Sequence, residues 1–96
     1  MPAAARIGDP FTCGDFIAQG SPNVFVNGIP FARWHDATTG HACWPPTVIM
    51  EHAKTVYANN ILVAYVSHLN VPHCCDDDCH SGAISDASPD TFVENK

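Results

Sequence analysis

Three stretches of the chain share one pattern of apolar and polar positions. Val24–Pro30 reads VFVNGIP, an apolar triplet, a polar Asn27-Gly28 pair and an apolar return. Asn and Gly tolerate positive φ, so the pair predicts a tight turn between two short strands. Val56–Leu62 reads VYANNIL, with an aromatic again in second place and Asn59-Asn60 in the turn. Thr91–Lys96 reads TFVENK and opens the same way. The residues leading in also echo one another: SPNV at 21–24, AKTV at 53–56 and SPDT at 88–91. Phe25, Tyr57 and Phe92 are therefore expected to fill equivalent core positions. Elsewhere Pro is scattered, and Val, Ile and Thr crowd the apolar stretches. The expectation is a mainly β chain of short strands and long loops with little or no helix. Its longest aliphatic run, Ile61–Val66, is far short of the roughly 20 residues that span a bilayer.

A second marker alternates with these turns. Ala5-Arg6 is followed by Asp9, Ala32-Arg33 by Asp36, and a faded form, Ala64-Tyr65, has His68 in the Asp position. From strand aromatic to the next marker the spacing is 8 both times, Phe25 to Arg33 and Tyr57 to Tyr65. From marker to aromatic it grows from 19 to 24 to 27 positions. One half of the unit is thus held at constant length while the other takes inserts of 5 and 8 residues. Strand pairing holds spacing because a one-residue slip turns every side chain to the wrong face, whereas loops lengthen cheaply. The chain reads as a single domain, 1–96, of three approximate repeats at 2–30, 31–62 and 63–96. The variable halves hold Cys13, His41, Cys43, His73, Cys74, Cys75, Cys79 and His80.

Charge and cysteine content narrow the function classes. Four Lys+Arg against ten Asp+Glu give a formal net charge of −6. That argues against nucleic acid, whose phosphates demand a basic footprint, and against an electrostatic hold on anionic lipid. The start, MPAAARIGDP, lacks the basic and apolar regions of a signal peptide, so folding in a reducing cytoplasm is expected. Five cysteines cannot all pair within one chain, and Cys interspersed with His in that compartment points to metal. A domain of 96 residues also benefits from a metal, a disulfide or a docking partner.

The string PAAARIGDP at 2–10, the following Cys13-Gly14, SPNVFVNGIP at 21–30 and the renewed FAR…D at 31–36 resemble the PAAR-repeat family. The resemblance is close over 2–36 and loose beyond. It implies a small pseudo-threefold cone that caps the blunt end of a homotrimeric β-helical spike. One chain sits on each trimer, in a contractile phage tail or a type VI secretion system. The resemblance implies no enzymatic activity, only transient contact with the target envelope, and a metal held near the point by three His and one Cys. A bare tip with degenerate later repeats fits a phage virion assembled in the bacterial cytoplasm better than a secreted type VI spike. Three equivalent units in one monomer also suit a homotrimer, meeting its three identical edges at once. Three departures stand out: His35 where the family favours Gly, the loss of Arg and Asp from repeat three, and Cys13 where many members carry His.

A closed structural site needs four N/S ligands. Loop one offers Cys13; loop two offers His41 and Cys43; loop three offers His73, Cys74, Cys75, Cys79 and His80. Cys13, His41, His73 and His80 give three His and one Cys from all three loops and are the expected set. Cys43 remains an alternative to His41, and Cys74 or Cys79 to a third-loop His. Such a tetrahedron favours zinc, with iron also compatible. One or two of Cys43, Cys74, Cys75 and Cys79 read as plain packing, with a Cys43–Cys79 disulfide conceivable after release from the cell. His35, His52 and His68 read as surface or hydrogen-bonded histidines, and Asp76–Asp78 as a solvated loop without the Gly and Glu of a calcium site. Trp34 and Trp44 fit either a core or a base contact. The rival readings are a small zinc hydrolase, which needs an open metal position and a base such as Glu51, and a free-standing zinc module.

Overall fold

The computed structural model describes residues 1–94 and contains no helix among them. Asn95 and Lys96, the end of the third patterned stretch, lie outside the described residues. The first two stretches form two-residue antiparallel hairpins: β1 (Phe25–Val26) with β2 (Ile29–Pro30), and β3 (Tyr57–Ala58) with β4 (Ile61–Leu62). Their turns have positive φ at both central residues, 56° and 75° at Asn27-Gly28 and 57° and 64° at Asn59-Asn60. This is the conformation whose twist matches paired strands, and Asn adopts it at low cost.

The third stretch behaves differently. Phe92 bridges to Ala3, and the Val93 N–H donates to the Pro2 carbonyl at 2.8 Å. The partner of the third aromatic segment is therefore the N-terminal segment, which occupies the place that β2 and β4 hold in the other units. The two ends of the chain close a ring.

At the centre of that ring three alanines bond in a cycle. The Ala32 N–H donates to Ala5 (2.9 Å), Ala64 to Ala32 (3.0 Å) and Ala5 to Ala64 (3.2 Å). All three are fully buried. The flanking bridges run round the same ring, Arg6 with Phe31, Arg33 with Val63 and Ala4 with Tyr65. Side chains stack in layers on either side. One cluster gathers Ala4, Val26, Phe31, Ala58, Val63, Tyr65 and Val93 beside the hairpins. The other holds Ala5, Ala32 and Ala64 with Ile17, Ile49 and Ile84, each isoleucine at most 1 % exposed. Fully burying a side chain of that size contributes about 1.5–3 kcal/mol. The molecule measures 37 × 25 × 23 Å.

The expectation that Phe25, Tyr57 and Phe92 fill the core is overturned. They are 54 %, 59 % and 52 % exposed. The reason is strand alternation: the residue after each aromatic, Val26, Ala58 or Val93, turns inward and is buried, so the aromatic faces out.

The marker residues cap the turn that follows each alanine. The Arg6 N–H donates to Asp9 Oδ2 and the Arg33 N–H to Asp36 Oδ2, both at 2.8 Å, and each guanidinium makes a fork to the same carboxylate. Those hydrogen bonds hold both arginines above their ordinary pKa, against the opposing effect of burial. In the third copy the Tyr65 N–H donates to His68 Nδ1 at 3.0 Å, so a histidine nitrogen replaces the aspartate oxygen. Between these ends the backbone turns left-handed at Gly8, His35 and Ser67, with φ of 90°, 68° and 79°. Only Gly takes that conformation without strain, so the second and third copies carry a local cost.

Because the alanine ring lies between two packed layers, it has no space for a longer side chain. Ala32→Leu is expected to destabilise the protein by about 1–3 kcal/mol or more through overpacking, read as a lower urea midpoint at unchanged slope.

Candidate metal centre

Each unit closes a loop beyond its isoleucine. The closing bonds run from the Phe11 N–H to Asp15 (2.8 Å), from Thr38 to Thr47 (2.8 Å) and from Asn70 to Gly82 (3.1 Å). The enclosed segments are 12–14, 39–46 and 71–81, so the second and third exceed the first by the same 5 and 8 residues found between repeats. Every inserted residue thus falls within these loops, and so do Cys13, His41, His73 and His80.

The loops present these side chains by simple means. Cys13 sits in the tight turn closed by the Gly14 N–H to the Phe11 carbonyl, 3.2 Å. His41 and Trp44 pair across a short turn, with Ala42 at φ 47°. Loop three folds as a hairpin, β5 (His73–Cys75) against β6 (Asp78–His80), in the register His73↔His80, Cys74↔Cys79 and Cys75↔Asp78. That register sets the two histidines side by side. It also puts Cys79 opposite Cys74, and these two form a disulfide, while Cys43 bonds to Cys75. The conceivable Cys43–Cys79 bridge is thereby corrected: strand pairing assigns Cys79 to its direct neighbour. Cys13 is the free cysteine.

The structure brings Cys13, His41, His73 and His80 together. Their ligand atoms all lie within 4.8 Å of one another, a group that could hold a metal ion. Three Nε2 atoms form a triangle of 3.3 Å (His41 to His73), 3.0 Å (His41 to His80) and 2.9 Å (His73 to His80). With metal–nitrogen bonds of 2.0–2.1 Å, the edge of a zinc tetrahedron is about 3.3 Å. Hydrogen bonding among the rings alone cannot satisfy this triangle. Each neutral Nε2 either donates or accepts, and in a ring of three at least one contact joins like with like. His73 Nδ1 lies 2.8 Å from the Pro45 carbonyl, which only accepts, so Nδ1 carries the hydrogen and the Nε2 lone pair points inward. The donor set fits a thiophilic and imidazole-binding cation.

Trp44, read from sequence as core or base contact, belongs to this site. Its ring stacks on His41 and His80, at centroid distances of 5.1 and 4.5 Å, and its Nε1–H donates to the Asp78 carbonyl at 2.9 Å. His41 and His80 are themselves parallel, at 4.9 Å. Trp34 instead packs at a tilt of 31° against His35 at the surface. His52 bonds the Ala53 carbonyl and His68 caps its turn, so neither belongs to the four-residue group. Asp76 and Asp77 form the exposed turn of the β5–β6 hairpin, and Asp78, also exposed, opens β6.

Beneath the site lies a buried polar node that the sequence reading missed. Asp15 Oδ1 accepts from the Phe16 and Gly40 N–H groups and from the Thr39 hydroxyl, at 3.0, 2.8 and 3.2 Å. Asp15 Oδ2 accepts from the Asn70 amide at 3.1 Å, and the same amide reaches Cys13 Sγ at 3.7 Å. Asn70 Oδ1 accepts the Gly82 N–H at 2.9 Å. One carboxylate and one amide thus tie together all three loops, next to His41 and Cys13 and close to His80. Gly82 is required by proximity: a Cβ there meets Cys13 N at 2.7 Å and Sγ at 2.8 Å. The signal for Asn70 lay in the repeat itself, since it bridges Ile49 as Thr38 bridges Ile17 and Phe11 bridges Ile84.

Removing the amide leaves a buried carboxylate oxygen and the Gly82 N–H without partners. Asn70→Ala is expected to cost about 1–3 kcal/mol, measured by urea unfolding, whereas mutation of the exposed Ser81 to Ala is expected to be nearly neutral.

Residues 2–43 match the family model described as the PAAR motif. No curated protein and no solved structure matches the chain. The matched segment holds the first marker, the first hairpin, Cys13 and His41, and ends at Cys43. The match over residues 2–43 is consistent with a PAAR-repeat protein.

Proposed function

We propose that the protein is a rigid tip that caps the blunt end of a trimeric β-helical spike, one chain per trimer, and sharpens it for piercing a cell envelope. The observation that carries this reading is the set of exposed aromatics Phe25, Tyr57 and Phe92. They occupy equivalent places on the ring, and each is more than half exposed. Large apolar groups left in water at symmetry-related positions suit a partner that offers the same apolar edge three times. The reading takes the chain as one domain of three units, 2–30, 31–62 and 63–96.

At the opposite layer the loops are too thin for an apolar core, and Cys13, His41, His73 and His80 hold zinc as a staple in this reading. Four protein ligands leave no open position, so the site is structural rather than catalytic. A contractile phage tail is the favoured machine. The tip of a type VI spike requires the same base and point, and a neighbouring gene for a tail spike or for a secretion cluster distinguishes them.

Measurements of docking and of metal content test the reading. Native mass spectrometry of the chain mixed with its co-encoded spike protein is expected to give one chain per spike trimer. A 3:3 complex or no complex overturns the docking geometry. Phe25→Asp with Tyr57→Asp is expected to lower affinity at least tenfold while leaving the melting temperature close to wild type, because both side chains already face solvent. For the staple, elemental analysis of reduced protein is expected to give one zinc per chain, and His73→Ala to lose it. A reduced chain that melts unchanged after chelation refutes the staple.

A further inference from the structure

Four of the five cysteines are not in the candidate metal group, yet all four surround it. Cys43 follows His41 by two residues, and Cys75 follows His73 by two. Cys74 and Cys79 sit directly inside the paired histidines His73 and His80. The Cys43–Cys75 bridge therefore joins the loop of His41 to the strand of His73. The Cys74–Cys79 bridge joins the strand of His73 to that of His80. Together they link all three histidines covalently over short paths. Cys13 alone stays outside, packed against the second core cluster.

We propose that Cys43, Cys74, Cys75 and Cys79 are an oxidation site. Their two bridges lock the histidine triangle once the chain leaves a reducing compartment, so that the point keeps its shape without metal. Cys43, Cys74 and Cys79 are exposed and Cys75 is partly so, which gives an oxidant access. The oxidant is a disulfide, small-molecule or carried by a thiol–disulfide oxidoreductase. For each bridge a thiolate attacks that disulfide and releases one thiol. The second cysteine then attacks the mixed disulfide and releases the other. Two protein thiols lose two electrons and two protons, and the reagent becomes two thiols. Apart from the bridges, loop two and its closing residue are tied to loop three by the Trp44 Nε1–H to the Asp78 carbonyl, the His73 Nδ1–H to the Pro45 carbonyl and the Thr47 hydroxyl to the Val71 carbonyl. After oxidation the Cys43–Cys75 bond, closing a span of 32 residues, restricts the freedom of the unfolded chain.

The inference rests on cysteine placement alone, independent of spike binding. Reduced, metal-free protein is incubated with oxidised glutathione, treated with iodoacetamide and mapped by peptide mass spectrometry. One alkylated residue, Cys13, with the pairs Cys43–Cys75 and Cys74–Cys79 is expected. Bridges involving Cys13, scrambled pairs or several alkylated cysteines overturn the proposal. In chelator, the oxidised chain is expected to melt about 10 °C or more above the reduced chain. A double variant, Cys43→Ser with Cys75→Ser, is expected to keep the reduced chain's metal-bound melting temperature and to lose most of that gain. Oxidised wild type that melts together with the oxidised variant in chelator also overturns it.

Discussion

The fold depends on a cycle of three backbone hydrogen bonds among Ala5, Ala32 and Ala64. Each alanine donates to one neighbour and accepts from the other, so the cycle closes only when all three units are docked. The cycle brings three chain segments close enough that only a small side chain is tolerated. It also defines an axis on which every later layer is stacked. On one side the units are short paired strands, whose register forbids a change in length. On the other side each unit returns through an isoleucine and opens into a loop. The closing bonds at Phe11, Thr38 and Asn70 isolate those loops from the register below. Inserts of 5 and 8 residues therefore enlarge the point without disturbing the base.

What persists between units is geometry rather than residue type. Asp9, Asp36 and His68 differ in charge, but each supplies an acceptor to the backbone N–H three residues earlier. A second substitution is compensated from another part of the chain. Ser21 caps the N–H groups of Asn23 and Val24, and Ser88 those of Asp90 and Thr91. Where the middle unit has Ala53, the carboxylate of Glu94 bonds the Lys54 and Thr55 N–H groups and the Thr55 hydroxyl instead. The Thr55 hydroxyl bond is the largest influence drawing the Glu94 pKa below its usual range. Glu94 stands where Asn27 and Asn59 stand in the other units, two residues after the aromatic. Those asparagines accept from the serine hydroxyls and from the arginines. Ser and Asn on one side, Ala and Glu on the other, are two solutions to the same capping problem.

Length periodicity made much of this legible from sequence. The constant spacing of 8 separated paired strands from loops and put all eight loop Cys and His residues at one end. The three-His, one-Cys composition implied by the family resemblance narrowed them to Cys13, His41, His73 and His80, which the structure brings together. Three features were hidden for physical reasons. An aromatic in a two-residue strand carries no alternation long enough to tell the inner face from the outer, so Phe25 and its equivalents were read as core. Ring closure pairs Phe92 with Ala3 across nearly the whole chain, and local pattern does not report a pairing of that range. Cysteine connectivity followed from the register of β5 and β6, where a shift of one residue changes every partner.

The chemistry of the point follows from having so little space. Three imidazole nitrogens within 3.3 Å of one another are costly in every protonation state that lacks a shared partner. Neutral rings leave at least one contact unmatched, and protonated rings aim positive N–H groups at one another. The Pro45 carbonyl removes one further escape by holding the His73 proton on the outer nitrogen. Three inward lone pairs around one bound cation would meet all of these constraints, and Cys13, with the Asn70 N–H aimed at its sulfur, would be the fourth donor. The cost of assembling that set is met below it, by the Asp15–Asn70 node and the packed isoleucines, and beside it, by the cysteine bridges. Rigidity at the point is therefore a property of the layer beneath as much as of the ligands. A change at Asp15, which touches none of the histidine rings, loosens the loop of His41 through Gly40 and that of His80 through Asn70 and Gly82.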